Sequence, residues 1–181
     1  MYKYIIIFPV DEEPFYGEMR EIMDRVATIS KLPPPYLKII PHITFHRPIV
    51  GVDEEVIKNI VMGVTLHIRQ TRITVNHLYH FGKQYIVLPV QTTRIIANFW
   101  VSVNHLLSEL SEYEHGEYDQ DNTLHITVAE KTSAIFDEIW PLVKNYVDEE
   151  ITIPVTKIEI HRKLLEGGSS WEKIAEYQIP K

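Results

Sequence analysis

Two short stretches, Pro41-His42-Ile43-Thr44-Phe45 and Leu124-His125-Ile126-Thr127-Val128, carry one pattern 83 residues apart: histidine, apolar residue, threonine, apolar residue. Strand side chains alternate between faces, so His42 and Thr44 share one face while Ile43 and Phe45 share the other. The second stretch sorts the same way, with Leu124, Ile126 and Val128 inward and His125 and Thr127 outward. Each strand then offers an imidazole beside a hydroxyl, backed by apolar side chains. Composition predicts only roughly 0.1 such tetrapeptides in a chain of this make-up. A lone strand histidine reads as a surface residue; a matched pair does not.

Working outward from each histidine exposes a repeat. A strand begins at Tyr2 and again at Tyr85, about 40 residues before its histidine, with a helix in between. Phe15, Met19, Ile22, Met23 and Val26 mark the first helix, over 14–29; Ile95, Ile96, Phe99, Val103, Leu106, Leu107 and Leu110 mark the second, opened by Thr92 or Thr93. A further helix follows each histidine, at 53–62, with Asp53 as N-cap and Gly63 past its end, and at 132–147, where Pro141 predicts a kink. Strands Arg72–Phe81 and Val155–Leu164 come next, and Glu172–Ile179 closes a hairpin around Gly167-Gly168-Ser169-Ser170. The expected fold is α+β: two pseudo-symmetric β-α-β-α-β lobes with mainly antiparallel sheets facing a shared central cleft. The whole chain, 1–181, is expected to form one domain, with repeats of about 1–82 and 83–181.

Composition narrows the function. With 181 residues, 45% hydrophobic and 24% charged, the chain is an ordinary globular protein that can bury about 70% of its surface. It has no cysteine, which excludes disulfides, thiolate catalysis and Cys-ligated metals. Its longest early apolar run, Ile5-Ile6-Ile7-Phe8, is too short to span a bilayer and lacks a basic start and signal-peptide length, so secretion is not expected. A cytoplasmic protein is expected, with no membrane partner. The net charge is −7, and residues 111–150 hold eleven acidic and two basic side chains. That balance disfavours a long phosphate-gripping surface, so any anion site must be local. Glu112, Glu114, Glu117, Asp119 and Asp121 match no metal-loop spacing and read as a solvated run.

The paired motifs in tandem repeats resemble the two-histidine (2H) phosphoesterase superfamily, which includes 2′-5′ RNA ligase-like proteins and cyclic nucleotide phosphodiesterases. The resemblance covers nearly the whole chain. It implies His42 and His125 as the catalytic pair, Thr44 and Thr127 as phosphate-binding hydroxyls, and neither metal nor cofactor. The partner it implies is a nucleotide or short RNA with a 2′,3′-cyclic phosphate or a 2′-5′ linkage, bound by a monomer. Hydrolysis needs a base for water and an acid for the departing ribose oxygen, and two imidazoles supply both near neutral pH. Family members often carry an arginine shortly after the second motif; here Glu130 stands there, with Lys131 beside it.

Secondary candidates for substrate binding are His46, Arg47, Tyr79, Lys131 and Arg162. Arg47 and Arg162 could meet phosphate and Tyr79 could stack a base, although packing is the better claim on Tyr79. His67, His105, His115 and His161 read as surface or packing residues, and Trp100, Trp140 and Trp171 as core anchors. Two rival functions share this chain: a phosphate-end or RNA-binding module without catalysis, and a metal hydrolase drawing on the nine histidines.

Overall fold

The computed structural model describes residues 1–45, 48–110, 124–166 and 170–181. Within them the element order is β1 (Tyr2–Pro9), α1 (Phe15–Ser30), a 3-10 turn (Pro35–Leu37), β2 (His42–Thr44), β3 (Ile49–Val50), α2 (Glu54–Thr65), β4 (Thr71–Val75) and β5 (Tyr79–Phe81). Then follow β6 (Tyr85–Gln91), α3 (Arg94–Ser108), β7 (His125–Glu130), α4 (Phe136–Val143), β8 (Ile151–Val155), β9 (Lys157–Leu164) and β10 (Glu172–Gln178). The protein is α+β, with a curled antiparallel sheet forming a half-barrel.

Ten described strands make one sheet in the order β10-β9-β1-β2-β7-β6-β4-β8, with β3 on β1 and β5 on β6. Its centre is the pair β2 and β7, joined with Ile43 opposite Ile126. On either side the two halves match residue by residue. Pro9, Phe8 and Ile7 stand beside His42, Ile43 and Thr44; Pro89, Leu88 and Val87 stand beside His125, Ile126 and Thr127. Even the backbone bonds repeat, Val10 N donating to Pro41 O and Val90 N to Leu124 O, both at 2.8 Å. The sequence carries this as Ile7-Phe8-Pro9-Val10 and Val87-Leu88-Pro89-Val90, a spacing of 80 that matching the strand starts at Tyr2 and Tyr85 obscures.

The outer strands do not stay with their halves. β4 and β5, from the first half of the chain, pair with β6, whereas β9 and β10 from the end pair with or beside β1. A division at residue 82 therefore does not divide the sheet. The expected strand 72–81 is two strands, β4 and β5, broken at Asn76–Leu78. Likewise Thr156 separates β8 from β9, which lie at opposite ends of the sheet.

Helices obey their caps. Asp53 accepts from Glu55 N at 2.9 Å and Thr93 from Ile96 N at 3.3 Å, each satisfying a first-turn amide that has no partner inside the helix. α2 runs through Gly63 to Thr65 instead of stopping before it, because Val61, Thr65 and Ile68 continue the buried side. α4 is shorter than expected at eight residues, with turns before it and Pro141 inside its last turn. The helices bury their apolar sides, including Met19, Met23, Ile57, Val61, Phe99 and Val103, in one cluster with Tyr4, Ile6, Phe8, Ile43, Ile126 and Leu88 of the sheet. At its heart Phe8, Phe45 and Phe99 meet in pairs with centroids 3.8, 5.5 and 5.1 Å apart. Trp100 and Trp140 pack against this cluster; Trp171 instead lies under the Lys3 ammonium at 5.7 Å. Ile5, Ile7 and Val87 are buried outside the cluster, on the opposite face of the same strands. His42 and His125 lie on that opposite face.

Candidate functional site

Antiparallel pairing about Ile43 and Ile126 puts His42 opposite Thr127 and Thr44 opposite His125. Opposite residues in such a pair stand about 5 Å apart at Cβ, and diagonal ones roughly 7–8 Å. The four side chains thus form a two-by-two array with histidines on one diagonal and threonines on the other. All four are half-buried, whereas the two isoleucines between them are fully buried in the core behind. A tetrahedral group set over the array can meet an imidazole from each side and a hydroxyl from each strand.

The two imidazoles have different surroundings. His42 Nδ1 lies 2.7 Å from Ile40 O. A carbonyl only accepts, so Nδ1 carries the hydrogen and Nε2 of the neutral ring is left with a lone pair. Burial holds the His42 ring down to about 4, and the carbonyl bond, which favours the cation, only partly offsets it. His161 and His125 also disfavour a charge on His42, while Glu159 favours one. His125 packs edge-on against Phe81, with centroids 4.9 Å apart.

The remaining sequence candidates are scattered. Tyr79 pairs with Val87, itself paired with Thr127, so it belongs to the row that holds His42; it is 48% exposed and stacks on His80. Lys131 is exposed in a left-handed turn just after β7. Glu130 forms an ion pair with Lys38. Arg162 pairs with Tyr4, on the helix side of the sheet, where its guanidinium holds Glu54 and Glu172, each at 2.9 Å. That placement separates it from the histidines, because its neighbours along β9, His161 and Lys163, take the other face. His46, Arg47, the acidic run at 112–121, His115 and the turn at 167–169 lie outside the described residues.

One residue that the sequence assigned to packing belongs to this face. Ile7 pairs with both Thr44 and Glu159, and Ile5 pairs with His161, so Glu159 and His161 share the face of the histidine–threonine array. Both are buried, and His161 Nε2 lies 2.7 Å from Glu159 Oε2. The signal was the alternation in Lys157-Ile158-Glu159-Ile160-His161, whose ionisable residues fall on one side. Among the described residues no group of three or more His, Asp or Glu could hold a metal ion, and no helix is long and apolar enough to cross a membrane.

Comparison with known proteins matches residues 10–166 to the 2′-5′ RNA ligase superfamily. No curated protein matches the sequence. Among solved structures the fold resembles TT0787 of Thermus thermophilus, at TM-score 0.72 and 13% identity, covering 98% of this chain and 97% of that one. It also resembles E. coli LigT complexed with NADP+, at TM-score 0.62 and 10% identity over 99% and 98% of the two chains. LigT complexed with 3′-AMP gives 0.59 and 12%, over 99% of each chain. Fold, paired motifs and family match agree: the chain belongs to the 2′-5′ RNA ligase superfamily of two-histidine phosphoesterases, with a function of the phosphodiesterase or ligase type.

Proposed function

We propose that the protein is a metal-independent phosphodiesterase that opens 2′,3′-cyclic phosphates of nucleotides or short RNA, with His42 and His125 as its acid–base pair. The observation that carries this reading is the diagonal pairing of two imidazoles and two hydroxyls about Ile43 and Ile126. His42 is the base. Its Nδ1 is committed to Ile40, its ring resists protonation, and Nε2 is left to take a proton from water. The water oxygen attacks phosphorus, the bond from phosphorus to O3′ breaks, and His125 gives its proton to O3′. The product is a 2′-phosphate with a free 3′-hydroxyl. Thr44 and Thr127 donate to the non-bridging oxygens and hold phosphorus in line between the rings. With an RNA 5′-hydroxyl and a 2′-5′ bond in place of water and the 2′-phosphate, the same groups run the exchange in the ligase direction.

The test is turnover of nucleoside 2′,3′-cyclic phosphates in excess EDTA, followed by phosphorus NMR of the product. A 2′-phosphate formed at an undiminished rate is expected. Binding without product would instead make the protein a phosphate-end binding module, and activity abolished by EDTA would make it a metal hydrolase.

A further inference from the structure

Phe81 is a large apolar side chain placed outside the core. Among the described residues, the apolar cluster on the helix side of the sheet takes in Phe8, Phe45, Phe99 and Phe136 but not Phe81. Tyr79 pairs with Val87, which pairs with Thr127, so Tyr79 and, two residues on, Phe81 look onto the face of the histidine–threonine array. There the half-buried Phe81 ring meets two others. The His125 imidazole stands 4.9 Å away between centroids with 70° between the planes, and the more exposed Tyr79 stands at 6.0 Å and 76°.

The strand that carries Phe81 is only three residues long, yet it is fixed from behind. His80 pairs with Ile86 on the core side, where its ring packs edge-on against Phe136 and Trp140, each with centroids 4.9 Å away. His80 Nδ1 lies 2.7 Å from Gly82 O and donates to it, since a carbonyl only accepts. Gly82 makes its turn at φ +54°, which costs little without a Cβ. The same turn is tied to the segment after β7: the buried Thr132 donates its hydroxyl to Lys83 O at 2.6 Å and its N–H to Gln84 O at 3.2 Å. β7 opens with His125, so one framework sets Phe81 and His125 against each other.

A histidine ring turns about its outer side-chain bond in a broad, roughly two-fold well, so its surroundings choose which nitrogen faces the phosphate. At His42 the Ile40 carbonyl makes that choice. We propose that Phe81 is the positioning residue for His125: its ring blocks rotation of the imidazole and keeps the protonated nitrogen turned toward O3′ of the cyclic phosphate. This deepens the phosphodiesterase reading and rests on it for the acid role of His125. Phe81 touches no reacting atom. It acts through the orientation of the acid, which matters at proton transfer and little in binding.

Steady-state kinetics on a nucleoside 2′,3′-cyclic phosphate test this, beside carbon-13 relaxation of the His125 ring in the unliganded proteins, its signals assigned by their loss in His125→Ala. Phe81→Leu and the more pliant Phe81→Met keep apolar bulk without a flat ring. In each, kcat should fall at least about tenfold while KM stays within about threefold of wild type. Phe81→Tyr keeps the ring and should hold kcat within about threefold of wild type. The order parameter of the His125 ring should be near about 0.85 in the wild type and in Phe81→Tyr, and below about 0.6 in the ring-free variants. Wild-type kcat in either folded ring-free variant, equal losses with and without the ring, or a His125 equally ordered in all would overturn the assignment. A dead His125→Ala beside a fully active Phe81→Leu would sink the role of Phe81 alone. Ring order is read without turnover, so an inactive wild type whose His125 is ordered only beside an aromatic residue would sink the acid–base reading and leave the positioning contact standing.

Discussion

Ile43 lies opposite Ile126 at the centre of the sheet, and from that one pairing the arrangement of the whole site follows. Any shift of register by one residue would turn His42 and Thr44 into the core and bring isoleucine out. Burial of the two isoleucines therefore sets the diagonal of the histidines as firmly as any polar contact. Ile43→Ala should destabilise the protein by about 2–5 kcal/mol, since a fully buried isoleucine leaves a cavity that its neighbours only partly fill. Urea unfolding measures this, and a loss under 1 kcal/mol would contradict a tightly specified centre.

Replacing His42 or His125 by alanine should each lower kcat by roughly 10²–10⁴, the usual weight of one general acid or base. The double variant should be little worse than either single one, because the two act in one step. Initial rates on a 2′,3′-cyclic nucleotide decide it. Wild-type rates in both single variants would end the acid–base assignment.

Thr44→Val and Thr127→Val keep shape and strand preference while removing a hydroxyl. Each should cost about 10- to 100-fold in kcat/KM, the value of a hydrogen bond to a charged group, with unfolding midpoints hardly moved. A change confined to stability would make the hydroxyls structural.

The pH dependence separates the two histidines. With His42 held down to about 4, the acidic limb of kcat/KM should fall below pH 6, and the alkaline limb should belong to the proton donor. An acidic limb at 6.5 or above would refute His42 as the buried base.

The same depressed value carries a stability signature. Below pH 6.5 the unfolded chain protonates His42 while the folded chain does not, so stability is full above 6.5 and declines as pH falls toward 4. Between pH 6.5 and 5 the His42 share of that loss should be about 2 kcal/mol. His42→Gln should abolish that share, which shows as a smaller drop in urea midpoint between pH 7 and 5 than the wild type displays.

What was legible in the sequence was everything set by local period and by self-similarity. Alternation placed His42 with Thr44 and His125 with Thr127, spacing gave three helices nearly their observed extents and the fourth at about twice its length, and Asp53 and Thr93 announced their caps. These features depend on neighbours a few residues away, so a linear reading can see them. The α+β class followed from their order, and the family from the resemblance of the paired motifs.

Long-range pairing decided the rest. Alternation separates Arg162 from His161 but does not say which faces the helices; pairing with Tyr4 sends one to the helix side and pairing with Ile5 sends the other to the site. No local rule says that β9 returns to β1, since those partners, at the two ends of the chain, are chosen by which apolar faces can be buried together. The sequence by itself determined that His42 sits beside Thr44 and His125 beside Thr127 on their strands. Only tertiary structure decided that Glu159 and His161 join them, because a face shared across three strands exists only after the sheet has closed its register.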